Sequence, residues 1–341
     1  MKGFLCWSGN PFLFGGATVN NALAQNPAAH EKLGATLVFF SAVAWSFGGA
    51  IARFLEIDDA WTVIFWRSLF AGLFLAGFLL WRDGPRQTIK LYRNMGIPGL
   101  AVAFGFGTAS TCFVIAISYT TVANVVLIQA GVPLMAALMA WIVYREKIAF
   151  STWVAIFAVI AGVAIMVMGG PLLDALDNAL GLGFIDNGLG STAIVDNGGK
   201  AWIGNALAIL IATVFAMTTV VTRRYANVRQ TPGASVGCFA AAAFAASQAS
   251  SLQVTGSEMG ILVVFGMLNL GFGMALWVTG ARLIPSAFAA LLGTAETMLS
   301  PVWVAIIHGE IPGIETVVGG MIVLVALIGY LLAAQRRQSQ P

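Results

Sequence analysis

The sequence predicts an all-α integral membrane protein of ten transmembrane helices, arranged as two inverted five-helix repeats. Three observations carry that prediction. The first is composition: 59% of the 341 residues are hydrophobic and only 9% are charged, where soluble domains carry roughly 25% charge. The mean hydropathy of +0.89 agrees. The apolar runs are continuous, whereas barrel strands alternate polar and apolar residues over ~10 positions. The second observation is the number of runs long enough to cross a bilayer core of ~30 Å at 1.5 Å per residue. The third is the placement of Lys and Arg between them.

Taken in order, residues 1–32 read as a cytoplasmic leader. Ala22-Leu23-Ala24 resembles a signal-peptide cleavage site, but Asn10-Pro11 interrupts the apolar stretch such a peptide needs. Spans near 33–54, 60–81, 95–118, 121–144 and 149–169 make a first repeat over 33–169. Residues 170–200, rich in Gly, Asn and Asp, form an external loop between the repeats. Spans near 201–221, 234–251, 258–281, 285–307 and 314–334 make a second repeat over 201–335, and 336–341 are a cytoplasmic tail.

With the N-terminus in the cytoplasm, alternate loops collect Lys2, Lys32, Arg82, Arg86, Lys90, Arg93, Arg145, Lys147, Arg223, Arg224, Arg229, Arg282, Arg336 and Arg337 on that side. Only Arg53 and Lys200 fall outside. This positive-inside bias orients both termini to the cytoplasm. One span more or fewer would scramble it. Because five is odd, the second half enters the membrane from the opposite side. The starts of the halves overlay without a gap: Gly34, Leu37, Ala42 and Arg53 meet Gly204, Leu207, Ala212 and Arg223, and Trp45 meets Phe215. Span four also echoes span nine, with Ala123, Leu127, Ile142 and Glu146 over Ala287, Leu291, Ile306 and Glu310.

Ten helices in two halves, the AVAWS turn of span one, Arg67 in span two, the VVTRRYA close of span six and the Glu-terminated spans four and nine together resemble the drug/metabolite transporter superfamily. Within it the chain is similar to the ten-helix EamA type and its YddG-like amino-acid exporters. Members of that type often carry Glu-Pro early in the ninth helix, whereas here Glu296 and Pro301 stand five residues apart. The resemblance implies a basket of helices around a central cavity, formed by spans one to four and six to nine, with five and ten outside. It also implies secondary transport of small metabolites, often outward, across the inner (cell) membrane.

Seven residues are candidates for binding substrate in such a cavity. Glu296 is the one acid assigned within a span, where a carboxylate is costly unless it pairs, protonates or meets water. It is either a proton-coupling or substrate-amine site, or an ion-pair partner of Arg67. Arg67 could take a substrate carboxylate bidentately, or could lock span two to a neighbour. Gln129 and Asn269, with Asn124 beside them, are amides at membrane depth that need partners, from substrate or from other helices. Trp45, Phe215 and Trp277 are aromatics on expected cavity helices, Trp66 another, and they suit apolar or aromatic solutes. Trp61 and Trp81 sit at span ends as interface anchors.

The three cysteines and two histidines form no ligand cluster, and the Gly-x-Gly pairs lack a preceding strand. No cofactor and no nucleic-acid partner are expected. No Walker-type loop is present to couple ATP directly. The expected function is therefore alternating-access transport of a small molecule, amino acids foremost, with protons as a candidate coupling ion. An integral-membrane enzyme acting on lipid-soluble substrates is the alternative, although the spans hold no nucleophile–base set, metal triad or acidic cluster.

Overall fold

The computed structural model describes residues 27–57, 59–119, 125, 128–145, 149–180, 201–309 and 314–338. Most of the leader, the 181–200 part of the inter-repeat loop, and Asn124, Glu146 and Glu310 lie outside the described residues. Every described element is helical. In order they are α1 Pro27–Ser46, α2 Gly48–Ala52, α3 Ala60–Asp83, α4 Pro85–Asn94, α5 Gly96–Tyr119, α6 Val132–Tyr144, α7 Phe150–Leu180, α8 Ala201–Arg224 and α9 Thr231–Gln248. Next, α10 Gly256–Val264 and α11 Gly273–Gly280 are joined by a π-helical stretch, Phe265–Phe272. The last three are α12 Ser286–Gly293, α13 Ala295–His308 and α14 Ile314–Gln338. Among the described residues, six stretches are long and apolar enough to cross a membrane: His30–Ala52, Ala60–Asp83, Gly96–Phe113, Trp202–Arg224, Gly256–Gly280 and Ser286–His308. The chain is a multi-pass membrane protein.

Helices that neighbour the interior are broken, each for a local reason. α1 stops at Ser46, whose hydroxyl donates to the Val43 carbonyl (2.7 Å) and accepts from the Trp303 indole N–H (2.8 Å). The carbonyls of Ala44 and Trp45 then lack some of their next-turn amides, and the Asn269 Nδ2 supplies donors to both, at 2.6 and 3.1 Å. Asn269 lies within the π stretch, the kind of helix irregularity that recurs at functional sites. Further along, Thr294 interrupts the Ser286–His308 stretch by returning its hydroxyl to the Leu291 carbonyl (2.6 Å). Two elements depart from the sequence reading. Helix α7 continues past 169 and through Pro171 to Leu180, the helix formers Leu172, Leu173, Ala175, Ala179 and Leu180 carrying it beyond the unfavourable Gly169-Gly170-Pro171. The polar helix α4 begins with Pro85 just inside its start, and Thr88 anchors it by donating to the Leu79 and Gly84 carbonyls at 3.0 and 2.8 Å.

Helix pairs pack as α1 on α11 and α13, α3 on α9 and the π stretch, α5 on α8 and α9, α6 on α8 and α12, and α7 on α14. Within lipid there is no hydrophobic drive for this association, so close approach of backbones through small residues supplies it. At Gly237 an added Cβ would lie 2.6 Å from the Ala103 carbonyl oxygen, so only glycine lets α9 reach α5 there.

One edge of the bundle is fastened by Asp59, which caps α3. Its carboxylate accepts from the Trp61 N–H (2.9 Å), and from the Ser250 N–H and hydroxyl at 2.8 and 2.9 Å, tying the α9–α10 connection to α3. Desolvation by its surroundings pushes this carboxyl up, but the hydrogen bonds from Ser250, Trp61 and Thr62 outweigh it and hold it below the ordinary carboxylate range. A group depressed in the folded state contributes stability that is present above its unfolded pKa of ~3.9 and is lost as pH falls through the folded value. Asp59→Ala should therefore destabilise by ~0.5–2 kcal/mol, the range for losing an N-cap. It should also flatten the acid limb of a thermal-stability profile below about pH 4. An unchanged acid limb would show that the cap contributes nothing there.

Candidate functional site

The helix breaks open onto one cavity of about 610 Å³, within the range of small-molecule sites. All seven residues singled out from the sequence line it: Trp45, Arg67, Gln129, Phe215, Asn269, Trp277 and Glu296. They come from α1, α3, the turn before α6, α8, the π stretch, α11 and α13, so distant segments converge. The cavity runs from an aromatic cluster to the α2–α3 connection, where Leu55, Ile57 and Ala60 line it.

The aromatic end is built from Trp45, Phe215 and Trp277, with Phe106 behind them. Ring centroids are 5.4 Å apart for Trp45–Trp277, 5.1 Å for Phe215–Trp277, 6.4 Å for Trp45–Phe215 and 6.0 Å for Phe106–Phe215. Tilted and edge-to-face arrangements at these distances are the favoured ones. Gly273 makes room for Trp45, since a Cβ there would collide with the indole Nε1 edge. That edge is buried without a hydrogen-bond partner. Trp277 is fully buried, and Gly293 lies beneath the outer edge of its ring. The end of the cavity is thus a largely apolar wall.

Charge lies along the other part. The Arg67 guanidinium sits 5.1 Å from the Phe265 ring centroid, a cation–π contact. Its Nε is buried with no hydrogen-bond partner. Glu296 stands in the first turn of α13, where the helix dipole favours negative charge. The break at Thr294 makes it a helix-start residue, whereas the sequence alone set it near the middle of one continuous helix. The two charges are close enough to interact, yet they form no ion pair with each other. Around them Ser110, Thr294, Thr297, Ser300 and Gln129 add neutral polar groups. Asn269 is partly committed, because its amide nitrogen serves the Ala44 and Trp45 carbonyls and only its oxygen is left for a ligand.

Two expectations are corrected by the packing. Trp66 does not line the cavity: its indole donates to the Leu252 carbonyl (3.1 Å) and its ring stacks on Phe70, so it fastens the α9–α10 connection. Helix α9, expected among the lining helices, contributes none of the lining residues and packs behind α3 and α5. Phe106, Phe265 and Met274 are lining residues that the sequence did not single out. Nothing in an uninterrupted apolar run distinguishes them. Among the described residues no three His, Cys, Asp or Glu side chains come together as metal ligands.

Residues 32–168 match the model of the EamA-like transporter family. A solved structure titled "Crystal structure of protein" shares the fold, with a TM-score of 0.72 at 16% identity, over 90% of this chain and 99% of that one. No curated protein matches the chain.

Proposed function

We propose that the chain is a secondary transporter that exports amino acids with aromatic or other hydrophobic side chains, or related zwitterionic metabolites, by alternating access. The observation that carries this reading is an amphipathic cavity, with Arg67 and Glu296 along one part, not ion-paired with each other, and the Trp45–Phe215–Trp277 cluster closing the other. A carboxylate suits Arg67, an ammonium suits Glu296, and an apolar side chain suits the aromatic wall. Because Glu296 can hold either a proton or the substrate ammonium, competition for it would couple outward substrate movement to inward protons.

The reading includes ten spans in two inverted repeats, and helix packing supports it. Exchanging each span for the one five places along turns the α1–α11 pair into α8–α5, α1–α13 into α8–α6, and α9–α5 into the π stretch on α3. The α3–α9, α6–α12 and α7–α14 pairs exchange into themselves. Trp45 and Phe215, overlaid by the repeat, are also in contact at the cavity's end. With both termini in the cytoplasm of a cell (inner) membrane, the cavity reaches toward the outside, which is the substrate-releasing state of an exporter. Cysteine at Ser250, in a chain freed of its native cysteines, should then react with an impermeant label on intact cells, while cysteine at Gly84 should not. The reverse pattern would overturn the orientation.

The function itself is tested by counterflow in proteoliposomes with a panel of amino acids, with and without a proton gradient. Wild-type protein should exchange hydrophobic amino acids, which an enzyme or a passive channel would not do in a counterflow format. Trp45→Ala should reduce that exchange at least ~10-fold for aromatic substrates, the scale of one lost apolar side-chain contact of ~1.5–3 kcal/mol. Unchanged exchange of every substrate would make Trp45 a packing residue only.

A further inference from the structure

Away from the cavity, a second cluster of charges sits where three helix ends meet. Arg82 is in the last turn of α3, Arg229 is in the α8–α9 connection, and Arg282 is in the α11–α12 connection. The Asp83 carboxylate fixes Arg229, with Nη1 at 2.7 and 2.8 Å from its two oxygens. Arg223 donates to the Arg282 carbonyl at 2.9 Å, which holds the α11–α12 connection against the end of α8. Arg82 reaches over the Phe78 ring at 5.9 Å. These ties bring Arg82, Arg229 and Arg282 within range of one another's charge.

Among the described residues the Asp83 carboxylate is ion-paired with Arg229 and lies within range of the Arg82 charge, whereas the Arg282 Nε is buried without a hydrogen-bond partner. Burial, and then the charges of Arg229 and Arg82, press the Arg282 pKa below its ordinary value. Natural helix ends disperse like charge or pair it, since close unpaired cations repel. A phosphate has the oxygens to accept from several forked guanidinium donors at once and the charge to offset them. Helix ends at this level also meet the headgroup layer of a bilayer, where anionic lipid attracts clustered Lys and Arg.

We propose that Arg82, Arg229 and Arg282 form a binding site for a phosphate group, clasped at the junction of the α3, α8 and α11 ends. The group is a phosphodiester of an anionic lipid or a free phosphate, which present the same oxygens. On the orientation proposed above, the site faces the cytoplasm and the inner leaflet. Its occupant would fasten the ends of three helices on the side opposite the cavity mouth and so favour the conformation seen here. None of the three arginines lines the cavity, so the site stands or falls independently of the substrate assignment.

The test is thermal stability and lipid retention of the purified full chain in detergent. Four additions are compared: phosphatidylglycerol, phosphatidylcholine, inorganic phosphate, and potassium chloride at matched ionic strength. Wild type should be stabilised by phosphatidylglycerol or phosphate above the two controls. The Arg82→Gln/Arg282→Gln protein should bind the stabilising probe at least ~10-fold more weakly, as expected for losing charge-assisted contacts. Stabilisation by phosphatidylglycerol alone identifies a lipid headgroup, and equal stabilisation by phosphate identifies the free anion; either supports the site. If the double variant does not fold, Arg282→Lys keeps the charge and removes the fork, and it should weaken binding in the same direction. Equal responses of wild type to phosphatidylglycerol, phosphatidylcholine and phosphate would overturn the proposal, as would equal binding by the variants.

Discussion

Glu296→Gln should abolish proton-driven transport while leaving exchange at saturating substrate, with weaker affinity because the substrate ammonium loses its charged partner. Glutamine keeps the length and hydrogen-bonding reach of the side chain and removes its ability to exchange a proton. If the carboxylate couples the two fluxes, the gradient-driven rate should fall by roughly 100-fold, the scale of a coupling free energy of 1–3 kcal/mol. Exchange needs no net proton movement and should persist. Stability should hardly change. Had Glu296 been the ion-pair partner of Arg67, removing its charge would have stranded a buried arginine at a cost of several kcal/mol. The two form no such pair, and Arg67 rests on Phe265 instead, so thermal unfolding of the variant should stay close to wild type. Full gradient-driven transport by a stable Glu296→Gln protein would remove Glu296 from the mechanism. Complete loss of exchange even at saturating substrate would make it a ligand for the substrate ammonium without a separable role in coupling.

The membrane-spanning, all-helical character and the main lining residues were legible in the sequence because a bilayer leaves little choice. A run of about twenty apolar residues must be helix, and a polar or charged residue inside it must find water or a partner. That logic alone drew attention to Arg67, Gln129, Asn269 and Glu296, and all four line the cavity. Trp45 stood out because tryptophan at mid-depth is off its preferred interface. Trp66, named only as an aromatic on an expected cavity helix, fastens a connection instead, since an indole N–H donates to any carbonyl that tertiary structure brings to it.

The helix breaks were not legible for a related reason. The end of α1 depends on Trp303 and Asn269, more than two hundred residues away in sequence, so no local propensity announces it. Phe106 and Phe265 were hidden by their surroundings, because in a uniformly apolar run the cavity-facing and lipid-facing phenylalanines look alike. Helix α9 was expected on the cavity from the resemblance alone. Its glycines and alanines suit close packing in any location, and the structure uses them to seat it behind α3 and α5 rather than on the cavity.

Arg67→Gln should erase the protein's preference for a free carboxylate. In wild type, an amino acid should out-compete its own amide in counterflow by ~10- to 100-fold, because a hydrogen-bonded charge contributes ~1.5–3 kcal/mol and the amide forfeits it. The guanidinium is ready for that role. It lines the cavity, has a partnerless Nε, and is oriented by the face of Phe265 rather than neutralised by Glu296. Glutamine retains hydrogen-bonding groups of similar reach but carries no charge, so the variant should accept acid and amide about equally, with weaker affinity for the acid. The amide's own affinity should stay nearly constant, which separates loss of a ligand from general collapse of the site. Arg67→Lys refines the result, since it restores charge without the planar fork and should recover part of the preference. A variant that still prefers the acid by the wild-type ratio would relieve Arg67 of substrate recognition and leave it the task of holding α3 against the π stretch through Phe265.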